Sequence, residues 1–182
     1  EHDFWQAQQQ AAHWGTNADS DVHSLQWALP TDKAVQLFAS TQQFAKLDKE
    51  STLLALVLDA LRTVKATPSL LVHKESHGRY SELSGLDLSR SVNWHTAMYP
   101  LHIDIPQELG GLLAQVKDQV LAVEHGGIGY SAGVVQNQWQ YASEIDVLFN
   151  YLGRAANAGL NEGLVTDSGL WRPAHAAAEA AV

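Results

Sequence analysis

Leu70-Leu71-Val72-His73-Lys74-Glu75-Ser76-His77-Gly78-Arg79 is the stretch on which the reading of this chain turns. Leu70-Leu71-Val72 is a short apolar run of the kind that forms a buried strand. It delivers Lys74 and Glu75 to its C-terminal end, and residues 76–90, with Gly78 and Gly85, read as a loop. A carboxylate emerging at such a strand end can serve as a general acid or base. The plain alternative is a solvated Glu75, or one paired with Arg79, since most glutamates are exposed or paired.

Outward from this strand, helical and extended patterns alternate. Upstream, residues 3–13 read as a helix around Phe4 and Trp5. Leu25, Trp27 and Leu29 alternate as a half-buried strand would. Pro30-Thr31-Asp32 starts a helix with Ala34, Leu37 and Phe38 on one side. Asp48 caps the next helix, about 49–65, where Leu53, Leu54, Val57, Leu58, Leu61 and Val64 recur at helical spacing. So few of its positions are polar that packing on more than one side is expected. Pro68 stops it.

Downstream, residues 98–105 form a second strand candidate, and Pro106 fits a helix start. Leu109, Leu112, Leu113, Val116, Val120 and Leu121 then form one stripe, ended by Gly126-Gly127. Ile145, Val147, Phe149 and Tyr151 alternate along a final strand, with Asp146, Leu148 and Asn150 on its other face. The sum is an α/β layer arrangement, a mixed sheet packed against three or four helices. Residues 154–182 are Gly- and Ala-rich and carry no clear pattern.

Composition narrows the function classes. The 182 residues suit one domain with a real core, and 46% of them are hydrophobic. A net charge of −9 argues against a nucleic-acid footprint and against anionic membrane surfaces. The absence of cysteine removes disulfides, thiolate zinc sites and cysteine nucleophiles. No apolar run reaches the ~18 residues of a spanning helix, and Glu1-His2-Asp3 is unlike a secretory leader. A cytoplasmic setting is expected. The chain also lacks an initiator Met, so a fragment incomplete at both ends is expected.

Three chemical temptations are weak. His73 and His77 share a metal only on a helix, and this segment reads as strand then loop, so no metal is expected. Gly126-Gly127-Ile128-Gly129-Tyr130 follows a helix and lacks the Lys-Ser/Thr of a phosphate loop, so a tight turn is the better reading. Trp94, His95, Tyr99 and Pro100 could be core aromatics around a strand start. No Gly-x-Ser-x-Gly elbow and no His-His-x-x-x-Asp segment occurs in the sequence.

Four motifs taken in order carry a resemblance. They are Glu75-Ser76-His77-Gly78-Arg79-Tyr80; Arg90-Ser91-Val92-Asn93-Trp94-His95-Thr96 running into Ala97-Met98-Tyr99-Pro100; Gly127-Ile128-Gly129-Tyr130-Ser131; and Phe149-Asn150-Tyr151-Leu152-Gly153. Together they resemble the epimerization domains of nonribosomal peptide synthetases, within the condensation-domain superfamily, over about residues 1–154. The family's patterns are Glu-Gly-His-Gly-Arg-Glu, Arg-Thr-Val-Gly-Trp-Phe-Thr with Tyr-Pro close behind, Gly-x-Gly-Tyr-Gly and Phe-Asn-Tyr-Leu-Gly. The chain departs from them at Ser76, Tyr80, Asn93, His95 and Ser131, with Ser91 a conservative replacement of Thr. Condensation domains share the fold but usually have Asn-Thr-Leu-Pro where this chain has Ala97-Met98-Tyr99-Pro100, which favours epimerization.

The resemblance implies one lobe of a V-shaped pair with the chloramphenicol-acetyltransferase-like fold. The absent N-terminal lobe would carry His-His-x-x-x-Asp-Gly. The implied activity is that of an isomerase in secondary-metabolite assembly, inverting the α-carbon of an aminoacyl or peptidyl thioester. The substrate would ride on the phosphopantetheine arm of a peptidyl carrier protein, with no cofactor held by the chain itself. Glu75 becomes the acid/base residue, and Tyr151 or Asn150 an enolate donor. His77, Arg79, Trp94, Thr96 and Tyr99 become substrate-binding or site-orienting residues. The alternatives are a condensation-type domain that forms peptide bonds and a non-catalytic carrier-docking lobe. The single lobe is expected to be inactive by itself.

Overall fold

The structure is a computed structural model. It describes residues 1–8, 25–64, 66–80, 85, 87–138, 140, 142 and 145–153. Nearly all of these lie in the unit Glu1–Tyr151; of the second unit, Leu152–Val182, Leu152 and Gly153 are described. Three helices lead into the sheet: α1 (His2–Gln8), α2 (Thr31–Phe44) and α3 (Lys49–Val64). The strands β1 (Ser69–Ser76) and β2 (Ala97–Asp104) follow. Then come α4 (Leu109–Leu121), a 3-10 turn (Glu124–Gly127), α5 (Ile128–Val135) and β3 (Val147–Phe149).

The sheet has the order β2-β1-β3. β1 runs antiparallel to β2, with Lys74 opposite Tyr99 and Glu75 opposite Met98. It runs parallel to β3, with Val72 beside Val147 and Lys74 beside Phe149. The mixed α/β sheet expected from the sequence is therefore present. Asp146 extends the β1–β3 pairing by one residue: its carboxylate accepts the Leu71 N–H at 2.7 Å and its own N–H donates to the Leu71 carbonyl at 2.9 Å.

One face of the sheet carries the helices. Leu70 and Val72 of β1 and Leu101 and Ile103 of β2 pack with Leu54, Ala55 and Leu58 of α3, Leu112 and Val116 of α4, Trp5 and Tyr130. All are nearly inaccessible to water. Burying a side chain of this size stabilises the fold by about 1.5–3 kcal/mol. Asp48 caps α3 as the sequence predicts, its carboxylate accepting the Ser51 N–H at 2.7 Å.

Several expectations are corrected. Residues 25–30 form no strand; Leu25 and Trp27 are 96% and 78% exposed. Alternation supports a strand only where a neighbouring strand completes the ladder, and the described sheet contains β1, β2 and β3. α3 is buried along one stripe, Ser51, Thr52, Leu54, Ala55 and Leu58, while Val57 and Val64 are exposed. Among the described residues, the apolar positions of α3 outnumber those that are buried. α1 is described through Gln8, and the remainder of the 3–13 helix lies outside the described residues. The final strand is shorter than its alternation suggests, although its parity holds: Val147 and Phe149 join the core and Leu148 is exposed. Gly127 does not merely close a turn. It adopts the left-handed region (φ 78°) and launches α5, and an added Cβ would lie 2.1 Å from the Tyr99 ring.

Candidate functional site

Glu75 sits on the sheet face opposite the helices. Strand parity sets Leu71, His73 and Glu75 against Leu70, Val72 and Lys74. Across the sheet the row through Glu75 is Met98 on β2, Glu75 on β1 and Asn150 just past β3. Asn150 Nδ2 donates to Glu75 Oε2 at 2.6 Å. This bond joins the first and last sequence motifs, which lie 75 residues apart. Asn150 thus has a partner that the sequence does not reveal, and its amide holds the carboxylate.

The salt bridge with Arg79 is not formed. The Arg79 guanidinium donates instead to the carbonyls of Leu88 (2.8 Å), Ser91 (3.1 Å) and Asn93 (2.9 Å). It ties the end of the Glu75 motif to the backbone of Leu88, Ser91 and Asn93. His77 Nδ1 accepts the Arg79 N–H at 2.9 Å, and its ring stacks on Tyr80 at 4.9 Å. Gly78 (φ +58°) is required by close approach: an added Cβ would lie 1.8 Å from the His95 carbonyl oxygen. Glycine and arginine in this motif therefore shape the backbone next to Glu75.

Beneath Glu75, on the helix face, Lys74 is buried and pairs with Glu50 of α3 at 2.5 Å. Its Nζ also reaches the Glu75 carbonyl at 3.5 Å and lies 5.8 Å above the Tyr99 ring centroid. Burial foremost, then the charges of Glu50 and Tyr80, push the Tyr99 phenol well above its usual range. Tyr99 is thus a core residue that supports Lys74, on the side of the sheet away from the Glu75 carboxylate. Trp94 is 80% exposed and is no core aromatic. With His77, Arg79, Ser91, Val92, Asn93, His95 and Thr96 it lines an open groove of about 760 Å³. Tyr151 is half-buried, two residues past Phe149.

The departures from the family patterns form contacts of their own. Ser76 Oγ donates to the Gly126 carbonyl at 2.6 Å, and Ser131 Oγ to the Met98 carbonyl at 3.3 Å. Each ties a strand to the turn or helix beside it. Ser91 Oγ and His95 Nε2 lie 2.8 Å apart, a bond that phenylalanine at position 95 could not make. Sequence reasoning missed Lys74 and Glu50. A lysine inside a buried strand is a signal that a charged partner waits on a neighbouring element.

His73 shares the Glu75 face and is buried, which holds its imidazole below the usual range and hence neutral at pH 7. Among the described residues, the group whose ligand atoms could converge on a metal ion is Glu1, Glu124 and His125, all exposed; His73 and His77 are not in it. Exposed groups of this kind are common without an ion.

Comparison with known proteins follows the same lines. The family model for the condensation domain matches residues 5–162. One of the linear gramicidin synthase polypeptides of Brevibacillus parabrevis is 32% identical over 178 residues, which is 90% of this chain and 2% of that protein. Bacitracin synthase 3 of Bacillus licheniformis is 28% identical over 157 residues, 82% of this chain and 2% of that protein. In fold, the chain matches the crystal structure of the epimerization domain from the third module of tyrocidine synthetase B with a TM-score of 0.60. That match has 19% identity and covers 70% of this chain and 31% of that one.

A mixed sheet with helices on one face, and the family match over most of its length, make this chain a member of the condensation-domain family of the nonribosomal peptide synthetases. Its fold is the chloramphenicol-acetyltransferase-like α/β fold of that family. The chain spans about 2% of the length of these two synthase relatives. No helix among the described residues is long and apolar enough to cross a membrane.

Proposed function

We propose that the chain is the C-terminal lobe of an epimerization domain. It would invert the α-carbon of an aminoacyl or peptidyl thioester held by a peptidyl carrier protein. The phosphopantetheine arm belongs to that carrier and is part of the substrate. The observation that supports this most directly is the Asn150–Glu75 hydrogen bond, which fixes one carboxylate at the end of a buried strand.

A thioester acidifies its α-proton, but removal at neutral pH still needs a positioned base and stabilisation of the enolate oxygen. In this reading Glu75 takes the α-proton, and the C–H electron pair moves into the thioester carbonyl as an enolate. A second group, the His of the His-His-x-x-x-Asp-Gly lobe, returns a proton to the opposite face of the α-carbon. One proton leaves and one arrives, so no oxidant or reductant is needed. Tyr151 donates to the enolate oxygen. Asn150 positions Glu75, and His77, Arg79 and Gly78 hold the loop beside it. The partner lobe completes the cleft, and a cytoplasmic setting accompanies the reading.

The test is α-proton exchange into solvent deuterium from a loaded carrier, using the complete two-lobe domain. Glu75→Gln is expected to lower the rate by about 10²-fold or more, as loss of an acid/base group does. Exchange at the parent rate in that variant would remove Glu75 from the role. The family match to a condensation domain favours a second reading, peptide-bond formation between two loaded carriers. Dipeptide product without α-proton exchange would select it.

A further inference from the structure

The sheet face that presents Glu75 also presents a definite chemical surface. Glu75 is flanked in register by Met98 on β2 and Asn150 beyond β3. The next row along the strands is Pro100, His73 and Leu148. Pro100 and His73 are buried. Met98 is half-buried, and Leu148 is 60% exposed, one row from the carboxylate. Neighbours directly opposite on one face lie about 4.5–5.5 Å apart, and diagonal ones about 7–8 Å. A substrate α-carbon at Glu75 therefore has its substituent within reach of Met98 on one side or Leu148 on the other. Met98 and Leu148 carry no charge themselves, and the carboxylate next along β3 on this face, Asp146, is already engaged by the Leu71 N–H at 2.7 Å. The backbone of Met98 is held by Ser131, and that of Leu148 by its place in the β3 ladder.

On the footing of the epimerase reading above, we propose that Met98 and Leu148 form the floor for the substrate side chain and select thioesters of apolar amino acids. A charged substituent at this position must shed its water against methyl and thioether groups with no partner, which costs more than the loss of one methylene. An apolar one gains contact. Methionine adapts its shape, so the floor discriminates polarity more strongly than size.

The experiment loads the carrier separately with leucine, phenylalanine, glutamate and lysine and measures α-deuterium exchange by the intact protein containing this chain. Leucyl and phenylalanyl carriers are expected to exchange at least about 10-fold faster in kcat/KM than either charged one, at the low end of what such pockets achieve. Leu148→Lys then shifts the ratio toward the glutamyl carrier by a similar factor. Leu148 is exposed, so this variant folds; Met98→Ala, which weakens the preference for phenylalanine, is the second arm. Equal rates across the four carriers overturn the proposal and leave the epimerase reading standing. So does an equal slowing of all four by Leu148→Lys, the result expected if Leu148 instead seats the opposite lobe. Absence of exchange from every carrier overturns both.

Discussion

The buried ion pair under the site makes an asymmetric prediction. Lys74 keeps 5% of its side-chain exposure and Glu50 keeps 31%. Glu50→Gln removes the counter-charge and leaves the Lys74 ammonium with at best a neutral amide oxygen, the Tyr99 ring and the Glu75 carbonyl, the last at a long 3.5 Å. Stranding a buried charge typically costs about 3–5 kcal/mol, a large share of the roughly 5–15 kcal/mol of a whole domain. Lys74→Met leaves Glu50, which water still reaches, so its cost should be nearer about 1–3 kcal/mol. Lys74→Met with Glu50→Leu replaces the pair by apolar groups and should be close to neutral. Urea unfolding followed by tryptophan fluorescence measures this, with buried Trp5 near Tyr99 at 6.0 Å as a reporter. With a slope of about 2 kcal/mol per M, Glu50→Gln should lower the midpoint by about 1.5–2.5 M. A shift below about 0.5 M, or a larger one for Lys74→Met than for Glu50→Gln, refutes the idea that Lys74 is a desolvated cation dependent on α3.

Three further outcomes are expected. Gly78→Ala should destabilise the protein by clearly more than Gly85→Ala: both lie in the left-handed region, worth about 1–2 kcal/mol for alanine, but only Gly78 approaches the His95 carbonyl, while a Cβ on Gly85 meets nothing within 4 Å. Equal midpoints would show that the close approach is unimportant. Because burial lowers the His73 pKa, the unfolded chain gains a proton below about pH 6.5 that the folded chain refuses. The stability this residue contributes is present above that pH and is lost as pH falls through its depressed folded value. His73→Gln should flatten the slope of unfolding midpoint against pH between about 6.5 and 5; an unchanged slope assigns it to other groups. Asn150→Ala should reduce kcat for α-proton exchange by about 10²-fold with a smaller effect on KM, as misplacing a reacting group does. A change confined to KM would make Asn150 a substrate contact and not a support for Glu75.

The α/β class, the three strands, the Asp48 cap of α3 and the order of the four motifs were legible in the sequence by itself. The bounds of α4 were not: it runs Leu109–Leu121 and ends before the Glu124–Gly127 turn, not from Pro106 to Gly126-Gly127. Periodicity and capping act over a few residues, so they are legible without the fold. The sequence overreached at Leu25, Trp27 and Leu29, where alternation had no strand to pair with among the described residues. The choice between a solvated Glu75, an Arg79 salt bridge and an Asn150 hydrogen bond belonged to tertiary structure alone. The same holds for Lys74 pairing with Glu50, for Tyr99 turning into the core, and for Met98 standing beside Glu75. Each of these depends on strand register and on pairs far apart in the chain, 75 residues in the case of Asn150 and Glu75, which local patterns cannot encode.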